Sequence, residues 1–423
     1  MKKFLHGYGG FFLLTVIVFA AAIYVNLPRM LLAKDGGDSS WYMAMAEGRI
    51  GEVIEPYSAR FLHTFLAGWL ANHFSLGVAF SFLLVAVISL LGFFLINGVI
   101  LKKAVRSPLL LASFFLLPYF VLILRRNIQP DALNIFLTAL FFLFLFYKKE
   151  SASFLILFLL FLNRETTILL GLVLIVTYWL RRKKLLAATA LIVVLISMGT
   201  SGFISGIGQP NTHNVSTSVF MLLKFAYHSV VNVLGLRLWV SGYDFCAPIF
   251  KLILPPFNFL GTIKEAGFCG FDPSLPLKTL IALLSTFGIA PVVFARIFLK
   301  EGRKIFARLP VWTSVAITSG ILHYLISVPA GTGIQRIVGY GWPVFLLATP
   351  FLAAKFFEID RKCIIKLLSV QLFVAWLPFV LKEASMERTA TLTITLCIIL
   401  AAYWYAMRIV GAQEIRRAPV FEE

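Results

Sequence analysis

Apolar runs of about twenty residues recur along the whole chain, separated by short polar stretches. A helix of that length crosses a hydrocarbon core of roughly 30 Å. No stretch alternates residue by residue as a barrel strand would. The pattern predicts spans near 10–33, 76–101, 107–124, 130–147, 152–163, 166–180, 185–203, 276–299, 309–328, 338–356, 363–381 and 389–408. It implies an all-α polytopic membrane helix bundle of about 11–13 transmembrane helices, a single domain over residues 1–423. The 152–163 run is short, and Asn163-Arg164-Glu165 interrupts it before the next, so two short helices are expected to meet there.

Two polar segments are long. The first, 34–75, holds two amphipathic stretches, 38–48 and 58–72. The second, 204–275, mixes Gly, Pro and Asn turns with helical pieces such as 216–234. Both fall on the side opposite the basic clusters Lys102-Lys103-Arg106, Lys148-Lys149, Arg181 to Lys184, Lys300-Arg303-Lys304-Arg308, Arg361-Lys362-Lys366 and Arg416-Arg417. Lys2-Lys3 joins those clusters. The positive-inside bias therefore predicts both termini in the cytoplasm and both long segments outside. No small-residue cleavage site follows the first apolar run, so it is expected to remain as a helix.

Composition agrees with this pattern. The chain is 60% hydrophobic and 13% charged, too little charge to solvate a soluble surface of this size. Its formal charge of +19 is explained by the cytoplasmic clusters, and no nucleic-acid partner is implied. Of the four cysteines, Cys246 and Cys269 lie in the second outer segment, where an oxidising compartment would let them pair; two unpaired thiols are the alternative. No Cys/His spacing points to zinc.

The charges on the outer side carry the chemical information, because ionisable groups at membrane level are costly unless paired or facing water. They include Lys34, Asp35, Asp38, Glu47, Arg60, His63, Arg125, Arg126, Asp131, Arg164, Glu165 and Arg336. With a helix starting at Ser39, Asp38 is its expected N-cap. Trp41 and Tyr42, one turn on, would then be interface anchors or an apolar wall beside a carboxylate that removes a proton from a hydroxyl. Asp35 competes with Asp38 for that role. Arg60 and His63 share a helix face, where Arg60 either snorkels or meets an anionic headgroup. Arg125 and Arg126 need a partner, and Asp131 is the nearest candidate, unless it caps the next helix. Arg164 and Glu165 suggest a second pair, structural or functional. Arg336, after Gly331 and Gly333, would clamp a phosphate or sit in a tight turn. An amphiphile with a phosphate head fits these features, with a lipid bilayer around its tail.

Asp38-Ser39-Ser40-Trp41-Tyr42 with Ala46 and Gly48 resembles the Asp–aromatic segment of GT-C type membrane glycosyltransferases. Pro56-Tyr57-Ser58-Ala59-Arg60, Gln129-Pro130-Asp131, Asn163-Arg164-Glu165-Thr166 and Gln335-Arg336 are similar to recurring elements of bacterial members. The resemblance implies a GT-C-like fold in the bacterial inner membrane and an outward-facing site. It implies a polyprenyl-phosphate sugar donor and a glycan, lipid or protein acceptor. Asp38 would be the catalytic base of an inverting displacement, with Asp35 as runner-up. Arg336 would contact the donor phosphate, with Arg60, Arg125, Arg126 and Arg164 as further candidates; Trp41, Tyr42, His63, Asp131 and Glu165 would shape the site. No cofactor is firmly implied, and with Asp35 and Asp38 three apart rather than in an Asp-x-Asp, a divalent metal stays an open question. A transporter or flippase of lipid-linked sugars is the main rival. It would place polar groups near mid-membrane, for which Asn97, His323 and Gln371 are the candidates. An O-antigen-polymerase-like enzyme is the second rival.

Overall fold

A computed structural model describes residues 8–31, 37–102, 105, 111, 114–210, 217–241, 246–255, 263–301, 309–331, 333–357, 360–386 and 388–412. Helix α1 (Tyr8–Leu31) is followed by α2 (Asp38–Ala46) and α3 (Phe61–Phe74), which belong to the first polar segment. The bundle continues with α4 (Val78–Lys102), α5 (Pro118–Arg125), α6 (Asp131–Phe146), α7 (Glu150–Asn163), α8 (Ile168–Leu180) and α9 (Lys184–Ser205). Helix α10 (Thr217–Ser229) runs into a π-turn, Val230–Leu234, and then into a sheet. After the sheet come α11 (Ser274–Ser285), α12 (Ala290–Glu301), α13 (Val311–Ile326), α14 (Ile334–Val338), α15 (Thr349–Phe356), α16 (Arg361–Glu383) and α17 (Thr389–Gly411).

Among the described residues, Val78–Lys102, Lys184–Ser205, Lys362–Glu383 and Thr389–Gly411 are each long and apolar enough to cross a membrane. Two bent pairs raise this to six if each is one span: Ser274–Ser285 with Ala290–Leu299, bent by 71°, and Ile334–Gly341 with Pro343–Phe356, bent by 47°. These helices mark a membrane protein of mainly helical build. Several others, such as Asp131–Phe146 and Val311–Ile326, are apolar but shorter than a full crossing. The core between them is aromatic: Trp342 is fully buried, edge-on to Phe93 at 4.8 Å and to Phe142 at 6.1 Å.

Three features depart from the expected pattern of uniform spans. The run 107–124 is not one helix: Leu117 is extended (φ −112°, ψ 141°) and α5 begins at Pro118. A proline ring pushes the residue before it out of the helical region and suits a helix start. Within 274–301 the chain bends, and the side chain of Gln371 serves the interrupted backbone. Ile289 donates its amide to Gln371 Oε1 (2.6 Å), and Gln371 Nε2 donates to the Phe287 carbonyl (3.2 Å). The bundle is also not all-α, as Leu236–Val240 (β1), Phe250–Ile253 (β2) and Glu265–Phe271 (β3) form an antiparallel sheet in the order β1-β3-β2. These segments are rich in aromatic and β-branched residues, which fit a pleated surface. Cys246 and Cys269 form a disulfide beside this sheet.

Arg164 is where α7 ends, with an extended backbone (φ −163°, ψ 133°), and a 3₁₀ turn, Glu165–Thr167, leads into α8. The first polar segment is tied down at a different place. Glu55 donates to the Gln209 carbonyl, Gln209 donates to that of Val53 (both 2.9 Å), and Ser58 Oγ donates to that of Ser205 (3.3 Å). Helices α2 and α3 cross closely enough that a Cβ on Gly68 would strike the Ala46 carbonyl. That contact holds the C-terminal end of α2, while Tyr57 and Arg60 hold its first half through Asp38 and Tyr42.

Candidate functional site

Helix α2 starts one residue earlier than the sequence suggests. Gly37, at φ +65°, precedes it without a side-chain cap, and Asp38 is its first residue. The expected N-cap bond of Asp38 is therefore absent. Its Oδ1 instead accepts from Tyr57 Oη at 2.7 Å. Asp38 is part-exposed, and its Oδ2 makes no hydrogen bond among the described residues. Burial, and then the adjacent Asp38 carboxylate, push the Tyr57 phenol well above its ordinary pKa, so it stays a donor.

One turn on from Asp38, Tyr42 is fully buried and accepts from Arg60 Nη1 at 2.5 Å. The other edge of Arg60 forks onto Glu165, Nε to Oε2 at 3.0 Å and Nη2 to Oε1 at 2.5 Å. Burial alone would raise the pKa of Glu165, but Arg60, its hydrogen bonds and Arg164 reverse this and bring it down to about 2. Tyr57 packs edge-on against Tyr42 at 5.8 Å, with the Arg60 guanidinium 5.4 Å from its ring centre.

A second buried network lies beside the first. Asp131 follows the N-cap residue Pro130 and is fully buried. Its Oδ1 takes Arg164 Nη1 at 2.5 Å and also Tyr340 Oη, and Arg164 donates to that same phenol oxygen. The Arg164 guanidinium stands 4.6 Å from the Tyr340 ring centre. Arg336 Nε lies 3.6 Å from Asp131 Oδ2, close enough for charge attraction but too far for a hydrogen bond. Arg336 Nε and Nη1 are both buried without an acceptor.

Arg336 faces a cavity of about 170 Å³. Arg126, Lys278 and Lys382 line the cavity with it; Leu122, Ile281, Leu381 and Leu392 supply apolar wall, and among the described residues no carboxylate lines it. Burial and the nearby Arg336 lower the pKa of Arg126, while Asp131 and Asp38 oppose that shift. Asp38 is thus one of the carboxylates whose field reaches Arg126. Half-buried Lys224, from α10, lies in the field of Arg60, Asp38 and Glu165.

The expected partners are exchanged. Asp131 pairs with Arg164 and Arg336 rather than with Arg125 or Arg126, and Glu165 pairs with Arg60 rather than with Arg164. The reason is local. In extended backbone, successive side chains point to opposite sides, so Arg164 and Glu165 cannot face each other. Arg125 turns away to Glu383 at 2.5 Å and sits 5.1 Å from the Phe379 ring centre. Arg60 and Arg164 hold protein carboxylates and are buried, which leaves Arg126 and Arg336 as the cavity's arginines.

His63 is not an exposed cation. It is fully buried against Phe82, with Nε2 3.3 Å from the Asn127 carbonyl, and burial pushes its pKa down to about 4. Trp41 and Tyr42 do not form one wall: Tyr42 points into the site, whereas Trp41 packs on Ala44, Met45 and Val53. Asp35 lies outside the described residues. Cys246 and Cys269 belong to the sheet region.

Tyr340, Tyr57, Lys224, Lys278 and Lys382 were missed as site residues. For the two cavity lysines a signal was present: each is an ionisable group at the end of an apolar run, on the side that carries Arg336. The phenols gave none, because a Tyr near a helix end reads as an interface anchor. No His, Cys, Asp or Glu trio gathers at one point among the described residues, so no metal ligands are assigned. No family model, curated protein or solved structure matches this chain.

Proposed function

We propose that this chain is a membrane glycosyltransferase of GT-C type that moves a sugar from a polyprenyl-phosphate donor to an acceptor hydroxyl. The observation that carries this reading is the cavity. Arg126, Arg336 and the two lysines meet in an apolar-walled space, and Arg336 has two buried N–H groups without an acceptor. Buried donors of this kind call for an anion, and an apolar wall suits a lipid tail.

Asp38 provides the second half of the chemistry. Its free carboxylate oxygen accepts the proton of the acceptor hydroxyl. The acceptor oxygen then bonds to the anomeric carbon as the bond from that carbon to the phosphate oxygen breaks. The electron pair leaves with the polyprenyl phosphate, whose charge the cavity cations stabilise. Direct displacement inverts the anomeric centre. The alternation of basic clusters along the chain supports placing this end of the bundle outside the bacterial inner membrane, with both termini inside.

The bent helix pairs are the feature that a flippase reading would use, since transporters bind substrate at broken helices. Here the sharper break is filled by Gln371. Asn97 bonds back to the Phe93 carbonyl of its own helix, and His323 lies against the Ser319 and Thr166 carbonyls. These three groups serve local structure, which favours the enzyme reading.

The test uses full-length protein in lipid nanodiscs with a panel of radiolabelled polyprenyl-phosphate sugars and membrane-extracted acceptors. Transfer by the wild-type protein and its loss in Asp38→Asn are expected. Undiminished transfer by Asp38→Asn removes the base and overturns the reading.

A further inference from the structure

A carboxylate that acts as a base at a membrane surface has two oxygens and free rotation about χ2. Unless one oxygen is held, the other samples many directions, and only some point at the acceptor. Asp38 has no capping bond to fix it. Its one hydrogen bond among the described residues comes from Tyr57, 19 positions later in the chain.

Tyr57 is itself held on every side. It opens the 3₁₀ turn Tyr57–Ala59, and its amide donates to the Ile54 carbonyl at 3.0 Å. The next residue, Ser58, is buried and tied to the end of α9 by its hydroxyl. The ring is packed edge-on by Tyr42 and lies near the Arg60 guanidinium, which Glu165 fixes in turn. The phenol therefore donates from a preset position, and the position does not depend on Asp38.

On the proposed transferase reading, we infer that Tyr57 is a positioning residue: its hydroxyl fixes Oδ1 of Asp38 and so directs Oδ2 towards the acceptor hydroxyl. The phenol touches neither the sugar nor the phosphate. It acts through the carboxylate, by limiting rotation of the base.

The experiment compares wild type, Tyr57→Phe, Asp38→Asn and the double variant in nanodiscs, with the radiolabelled donor that the wild type accepts. Phe keeps the ring, so its contacts with Tyr42 and Arg60 survive and the unfolding midpoint should stay close to wild type. Tyr57→Phe is expected to lower kcat about 10- to 100-fold and leave the donor KM unchanged. The double variant should be no slower than Asp38→Asn.

If Asp38→Asn abolishes transfer while Tyr57→Phe keeps the wild-type kcat, the positioning role is wrong and the transferase reading stands. A fall in kcat with a raised donor KM and a lower unfolding midpoint also overturns it, in favour of a packing role. If Asp38→Asn keeps full activity, or the wild type transfers none of the panel, the transferase reading fails and takes the role of Tyr57 with it.

Discussion

Two neighbouring regions of this protein hold arginines in opposite ways. Around Asp131 and Glu165, each guanidinium faces a carboxylate: Arg164 on Asp131 and Arg60 on Glu165, both at 2.5 Å. In the adjacent cavity, Arg126, Arg336, Lys278 and Lys382 line one space that no carboxylate lines among the described residues. Arg336 joins the two, 3.6 Å from Asp131 on one side and open to the cavity on the other. The first region is closed by its own ion pairs and holds the helix ends together. The second gathers positive charge in one apolar-walled space, which suits an anion. An arginine count alone does not separate these cases; the position of the carboxylates does.

The largest expected effect comes from breaking a closed pair. Arg164→Met leaves the buried Asp131 with the neutral Tyr340 hydroxyl and, as its only remaining cation, the more distant Arg336, and should destabilise the protein by about 3–5 kcal/mol. The unfolding midpoint in detergent, followed by intrinsic fluorescence, measures it. A change of less than about 1 kcal/mol would show that the pair is not what closes this region.

Acid should act on the same region next. His63 sits near pKa 4 in the fold against 6.5 for the free side chain, so the unfolded chain binds the extra proton between those values. Stability should therefore fall as pH drops from about 6.5 to about 4, by at most about 1.4 kcal/mol per pH unit from this group. Glu165, near 2 in the fold against 4.5, adds its own loss as pH falls from 4.5 to 2. His63→Gln should reduce the slope of the upper window, where His228, also pushed down to about 4 by burial, still contributes, and leave the lower one. Equal slopes above pH 4.5 in variant and wild type would contradict the buried neutral imidazole.

The cavity should respond in binding and not in stability. Arg336→Ala should raise the apparent donor requirement about tenfold, or roughly 1.4 kcal/mol, with the unfolding midpoint nearly unchanged because Arg164 still holds Asp131. A large loss of stability without a change in donor requirement would move Arg336 into the closed region. The smallest effect is expected at the rim. Lys382→Gln should cost about threefold in donor affinity, and the difference should shrink as salt rises.

The chain announces some of this plainly. The apolar runs at 76–101, 185–203, 363–381 and 389–408 correspond to the four helices that, among the described residues, can cross a membrane alone, since length and hydropathy are carried by adjacent residues. The break at Asn163-Arg164-Glu165 was also readable, because three polar residues cannot continue an apolar helix in lipid. Asp38, Arg60, Asp131, Arg164, Glu165, Arg126 and Arg336 were recognisable as a group by their shared side. The sheet was not: β2 has only four residues, and such a run carries too little periodicity to be told from a helical piece.

From the sequence alone follow the membrane character, the order of most helices and the set of polar residues that end up together. Adjacent residues determine these properties, through side-chain transfer energy and helix periodicity. The tertiary structure decided which carboxylate takes which arginine, that Tyr57 rather than a backbone amide holds Asp38, and that Lys278 and Lys382 meet Arg126 and Arg336. Those outcomes depend on where a side chain points at a helix end and on which distant segment packs there. A torsion such as that at Arg164 turns neighbours in the chain to opposite sides, and only the packed bundle determines what each one meets.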